Sequence, residues 1–118
     1  MNDEIKKLLE NLTHGDENCA EESSVKLAAF GKAILPELEG KLESSEVDQR
    51  WWAVRTIAQM EFPSMDLLIK SLEDQSLEVQ QCAALAICHH PDPRAIPLLI
   101  KLLETSDTIT INLAATAL

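Results

Sequence analysis

Residues 46–73 (EVDQRWWAVRTIAQMEFPSMDLLIKSLE) and 76–104 (SLEVQQCAALAICHHPDPRAIPLLIKLLE) carry one pattern twice. Ala53 falls on Ala83 and Pro63 on Pro93 at a shift of 30, whereas Leu68-Ile69-Lys70 falls on Leu99-Ile100-Lys101 at a shift of 31. One residue has been gained or lost between the two halves of the unit. This period, holding a small-residue segment and then a Leu-rich one, constrains the fold more than any other feature. A pair of short helices cannot enclose its own apolar stripe, so such units become stable only by stacking on neighbours. The expected fold is all-α: an α-α superhelix, a solenoid of antiparallel helix pairs.

Composition supports helices over strands. Of 118 residues, 46% are apolar, only 3% are aromatic, and there is no tyrosine. A core of Leu, Ile and Ala suits close-packed helices better than a sheet, which favours Val, Thr and Tyr. The length allows a single domain with one continuous core. The net charge of −10 opposes a nucleic-acid function, because neutralising phosphates needs a basic surface. It favours a protein partner of basic character.

Cys19, Cys82 and Cys88 are odd in number and follow no framework spacing, so free thiols in a reducing cytoplasm are expected. The opening MNDEIKKLLE is charged and lacks the apolar stretch of a signal peptide. No apolar run approaches the roughly 18 residues of a membrane span.

Eight helices are predicted along the chain. Residues 3–12 place Ile5, Leu8, Leu9 and Leu12 on one helical stripe, and Thr13 to Asp16 break it. The next run from about Glu17 to Phe30 and from Ile34 to Glu43, the latter with Pro36 in its first turn, where a missing N–H is harmless. Ser44-Ser45 opens the fourth, with Ser45 and Asp48 in the spacing of a capping box, and it reaches Met60. Ser64 caps the fifth (to Glu73) and Ser76 the sixth (to His89). Asp92-Pro93 starts the seventh, Arg94 to Glu104, and the eighth begins near Asp107. The phase of the repeat then divides the chain into 1–16 (an N-terminal half repeat or cap), 17–45, 46–75, 76–106, and 107–118 (the first helix of a truncated repeat). Ile109, Ile111, Leu113 and Leu118 make that last helix unusually apolar for a terminal one. A longer parent chain is expected, with a homo-oligomer through this helix as the other possibility.

From Val79 to Leu99 the run V-Q-Q-C-A-A-L-A-I…D-P-R-A-I-P-L-L resembles the HEAT-like repeat of the short bacterial and archaeal type, first described in phycobilisome (PBS) lyases. Val79, Ala83, Ala84, Ala86, Ile87, Asp92, Pro93, Ala95, Ile96, Pro97 and Leu99 fill its pattern positions. Gln80 stands where that family has Arg, and Cys88 where it has Gly. Residues 49–72 keep Arg50, Ala53, Ile57, Pro63, Leu68 and Leu72 but lack the Ala-Ile-Pro run. Residues 17–43 keep Ala28-Ala29, Gly31 and Ile34-Leu35-Pro36-Glu37-Leu38. The resemblance implies a right-handed, armadillo-type solenoid whose second helices form a concave face, and a role as an interaction scaffold.

Candidate sites follow from the repeat. On the second helices Leu67 matches Leu98 and Lys70 matches Lys101, with Glu37, Lys41 and Asp66 nearby; in register they could form a binding ridge. Trp51 shares a column with polar Gln81 and Asn112, so its ring is expected to be partly exposed and able to anchor an interface. Trp52, in the column of Cys82 and Leu113, is expected in the core. Cys88-His89-His90-Pro91-Asp92 has metal-ligand types, but no second cluster answers it and His14 and Cys19 lie two repeats away. It is read as a helix end where imidazoles face the negative pole of the dipole.

No phosphate loop, nucleophile elbow or H-E-x-x-H occurs, so neither catalysis nor a cofactor or metal is expected. The expected function is a non-catalytic protein-binding module docking a partner segment along the concave face. Two alternatives come from the resemblance alone: a bilin lyase-type subunit attaching or isomerising chromophores, and a DNA-repair-type solenoid. The acidic charge opposes the second.

Overall fold

The computed structural model describes residues 3–14, 16–61, 63–102, 104 and 115–116. Seven α-helices run through them: α1 (Asp3–His14), α2 (Glu17–Ala28), α3 (Leu35–Leu42), α4 (Val47–Ala58), α5 (Met65–Ser71), α6 (Leu77–His89) and α7 (Ile96–Leu102). There is no strand among the described residues. The eighth predicted helix lies outside them, apart from Ala115 and Thr116, which are helical. The chain forms two compact units, Met1–Pro63 and Ser64–Leu118.

In the first unit α1 packs on α2 and α4, α2 on α4, and α3 on α4. Leu12, Leu27, Ile34, Leu38, Val54 and Ile57 are among its buried apolar side chains, each 2% exposed or less. Two polar links join α2 to α4. Gln59 Nε2 donates to Ser24 Oγ at 2.9 Å, and the Arg55 guanidinium donates to Glu21 at 2.8 Å. Ser24 is fully buried, and its hydroxyl in turn donates to the Glu21 carbonyl at 2.7 Å, so no polar atom is left stranded there. In the second unit α5 packs on α6, and Leu68, Val79, Ala83, Ala84, Ile87 and Leu99 are buried. Burying one Leu or Ile side chain contributes about 1.5–3 kcal/mol.

The repeat is visible in burial. Ala53 and Ala83, Val54 and Ala84, Thr56 and Ala86, and Ile57 and Ile87 are all buried. So are Leu38, Leu68 and Leu99 on the second helices. Two of those helices begin with a short 3-10 turn, at Gly31–Ile34 and Pro93–Ala95, which the helix pattern alone does not predict. Proline explains both. Pro36 has no N–H to offer the Lys32 carbonyl in the α pattern, and Leu35 N–H takes that carbonyl instead. Pro97 likewise leaves the Pro93 carbonyl to the Ile96 N–H. Asp66 stands where the others have proline, and α5 begins directly at Met65. Gly31 enters its turn at φ 63°, the left-handed region that only glycine occupies without strain.

Capping departs from expectation. The Ser45–Asp48 box does not form, because the N-cap of α4 is Glu46, one residue later. Ser64 and Ser76 occupy the N-cap positions of α5 and α6, but neither hydroxyl makes a cap bond. A different device recurs. Ser44 Oγ accepts from the Glu46 N–H at 3.1 Å, and Arg50 donates to the Ser44 carbonyl at 3.0 Å. Thirty residues on, Asp74 Oδ1 accepts from the Ser76 N–H at 2.8 Å, and Gln80 Nε2 donates to the Asp74 carbonyl at 2.6 Å. Gln80 thus does the work of arginine: a side chain from the second turn of the helix pins the loop before it. Asp16, read only as part of a break, caps α2 by accepting from the Cys19 N–H at 2.8 Å.

Gln80→Ala should therefore lower stability by about 0.5–1.5 kcal/mol, the net worth of one hydrogen bond, whereas Gln80→Arg should hold it. Urea unfolding of the two variants beside wild type checks this; equal loss in both would remove the pinning role.

Candidate functional site

The second helices place the predicted ridge residues one step away from the buried leucines. Glu37, Leu67 and Leu98 each precede Leu38, Leu68 and Leu99; Glu37 is exposed, while Leu67 and Leu98 are half-buried. Lys70 and Lys101, two residues after Leu68 and Leu99, are both exposed. Helical geometry puts a residue two positions from a buried one on the flank or the outer side, so the repeat sets this register.

Lys41 differs from its counterparts. Three residues after Leu38, it occupies the column that holds Ser71 and Leu102, which are 6% and 8% exposed. Lys41 is half-buried. Desolvation lowers its ammonium pKa below the ordinary lysine value, against the pull of Glu37 one helical turn earlier. A cation stands in a core column, its stem covered and its charge near the surface.

In the second unit Leu98 and Lys101 line a hollow of about 390 Å³ with Leu72, Glu73, Gln80, Leu102 and Glu104. Asp66 is drawn into an ion pair that sequence reasoning missed. Arg94 forks between Asp92, at 2.8 Å, and Asp66 at the start of α5. Its guanidinium holds the Asp92 carboxyl below the usual range, and Asp92 also caps the 3-10 turn by accepting from the Arg94 N–H at 2.9 Å. Asp66 and Arg94 are 28 residues apart, and no local spacing betrays such a pair.

Trp51 is half-buried as expected, but so is Trp52, which was expected in the core. The two indoles meet edge to face, with centroids 4.8 Å apart and planes at 88°. Adjacent helical residues point about 100° apart, so with Ala53 and Val54 turned inward both tryptophans are left on the flank. Cys82, the counterpart of Trp52, is half-buried too. Both tryptophans line a hollow of about 380 Å³ with Leu12, Glu17, Ala20, Glu46, Asp48 and Gln49.

His89 is the last residue of α6, and burial pushes the Cys88 thiol pKa up, away from the reactive thiolate. Among the described residues no three His, Cys, Asp or Glu side chains gather into a group that could hold a metal. Nor is any helix there long and apolar enough to cross a membrane.

A family profile described as HEAT repeats matches residues 31–118. A chain of the complex of CpcE and CpcF of phycocyanin lyase from Nostoc sp. PCC7120 superposes with a TM-score of 0.77 at 19% identity, over 96% of this chain and 75% of that one. At that identity the likeness is one of fold. An engineered protein superposes with a TM-score of 0.60 at 26% identity, over 99% of this chain and 61% of its own, so this chain spans less than two thirds of it. No curated protein matches in sequence.

Lys41→Leu should raise stability by about 0.5–2 kcal/mol, as cavity-compatible core substitutions do. Because the folded pKa is depressed, the unfolded chain binds the proton more tightly. Wild-type stability should therefore rise with pH just below the ordinary lysine value of 10.5, and the variant should lose that rise. Chemical unfolding as a function of pH reads both. For Asp92, whose folded pKa is also depressed, the slope has the same sign but lies in the acid range. Its stabilisation is present above the ordinary carboxylate value and is lost as pH falls through the lower folded value. Arg94→Ala should flatten the acid limb of the stability profile below about pH 4, an effect thermal melts across the acid range would show.

Proposed function

Because the chain belongs to the HEAT-repeat family, we propose that it is a non-catalytic scaffold that docks partner protein segments on the faces of its second helices, α3 in the first unit and α5 and α7 in the second. One observation carries the proposal: the outward register of these helices repeats, with Leu67 and Leu98 half-buried and Lys70 and Lys101 exposed. Repeated half-buried leucines offer apolar area, and the flanking charges would set the register and sense of an extended segment. In this reading Glu37 and Lys41 serve on α3, and Asp66, through its pair with Arg94, fixes the approach to α5. The repeats run 17–45, 46–75 and 76–106. The net charge of −10 favours partners with a basic segment, attracted before contact. Cys19, Cys82 and Cys88 form no disulfide among the described residues, and a reducing, cytoplasmic setting is part of this reading. No cofactor takes part.

A second reading is favoured by the superposition on a chain of a phycocyanin lyase complex: a subunit that helps attach a bilin to a phycobiliprotein. The two are separable by mixing the protein with apo-phycocyanin and free bilin. A covalent coloured adduct formed only with the protein present would establish the second reading and overturn the first.

The scaffold proposal predicts that Lys70→Glu combined with Lys101→Glu, and separately Leu98→Ala, weakens capture of a native partner at least tenfold with helicity unchanged. Quantitative affinity capture from native lysate, with circular dichroism of each variant, gives the answer. Undiminished capture by both variants would reject the second-helix faces as the docking surface.

A further inference from the structure

We propose that the hollow bearing Trp51 and Trp52 receives the guanidinium of an arginine carried on a basic partner segment. The hollow lies within the first unit, where the last turn of α1 and the first turns of α2 and α4 come together. It is lined by three carboxylates, Glu17, Glu46 and Asp48, and by no basic side chain among the described residues. Gln49 Nε2 donates to Glu46 Oε2 at 3.2 Å and holds that carboxylate in place. No three acidic side chains there lie close enough to hold a metal ion, so the negative charge is spread over the rim of a hollow.

Two independent features point to a cation with a flat, partly apolar body. The first is charge. Carboxylates in the first turns of α2 and α4 complement the helix dipoles, but that accounts for each singly and not for three around one hollow of about 380 Å³. The second is the tryptophan pair. In the following repeat the same positions hold Gln81 and Cys82, so the repeat fold does not require aromatic residues there. Edge-to-face packing at 4.8 Å fixes the two rings against each other, which removes the entropy a mobile ring would lose on binding. Indole is the best cation–π surface among side chains, and guanidinium stacks on it while its N–H fork meets carboxylates. The volume falls within the range of small-ligand sites and admits one arginine side chain with its stem.

The proposal rests on the protein-binding reading above, but it uses a different surface. Its test is tryptophan fluorescence titrated with a nine-residue Gly/Ser peptide carrying a central arginine pair. Citrulline and lysine versions of the peptide serve as controls. The arginine peptide should give a saturable change, and the citrulline peptide, equal in shape but uncharged, should give none. The lysine peptide should bind at least threefold more weakly. Glu17→Gln with Asp48→Asn should weaken arginine binding at least tenfold, and Trp51→Gln, which restores the residue of the next repeat, should weaken it comparably. Circular dichroism confirms that each variant folds. No saturable change, equal binding of the citrulline or lysine peptide, or full binding by the Glu17/Asp48 variant would overturn the proposal. If the peptide fails while Lys70 and Lys101 still govern partner capture, only the arginine hollow falls. If the peptide binds while that capture is indifferent to the second helices, the docking faces fall and the hollow stands.

Discussion

Helices as short as α5 and α7, seven residues each, do not persist in water by their own hydrogen bonds, because nucleation is costly and a short helix recovers too little of it. They depend on taking one leucine per repeat, Leu68 or Leu99, wholly out of solvent. Leu38 does the same for the eight-residue α3. The first helices allow this by being thin. Ala53, Ala83 and Ala84 are fully buried, and their small side chains let neighbouring backbones come close enough for the leucines to reach across. A larger residue in that column would hold the helices apart, and the cost would fall on two elements at once.

That dependence explains which parts of the fold were legible. Burial repeats with the period: in the first helices Ala53/Ala83, Val54/Ala84, Thr56/Ala86 and Ile57/Ile87 are each buried together. The ends of helices were less legible, because several side chains can satisfy the same N–H groups. Serines at positions 45, 64 and 76 looked like caps, yet the loops before α4 and α6 are held by Arg50 and Gln80 reaching back six residues. The 3-10 turns at Gly31–Ile34 and Pro93–Ala95 were legible in principle. A proline in the second position of a helix denies a bond to the carbonyl four residues back, and the Ile-Pro sequence at 96–97 states as much.

The candidate site was legible only in register. Matching Lys70 with Lys101 and Leu67 with Leu98 correctly placed them in equivalent environments, since exposure follows the same helical phase as burial. What a side chain meets across 28 or 34 residues is another matter. The Arg94–Asp66 pair and the Arg55–Glu21 pair depend on how loops return the chain, and neither has a local signature. Trp52 went astray for a related reason. The column of Cys82 and Leu113 reads as interior, but Cys82 itself is only half-buried, and a small side chain can occupy a flank where an indole must protrude.

Lys41 shows where the demands of the fold and of a surface diverge. Its column is a core column in the later repeats, filled by Ser71 and Leu102, and an apolar residue there would complete the packing of α3 against its neighbours. A lysine instead keeps a charge at the edge of the buried stripe, at the cost of desolvation that depresses its pKa. Packing alone would not select that choice. Glu37, one turn earlier, offsets part of the cost while adding a second charge on the same face. A repeat whose interior is set by leucine and alanine has only such flanking positions free to vary, so recognition must be written in the residues that border the core. Trp51 and Trp52 obey the same rule. They lie beside Ala53 and Val54 in sequence and outside them in space, where the fold fixes their position without dictating their identity.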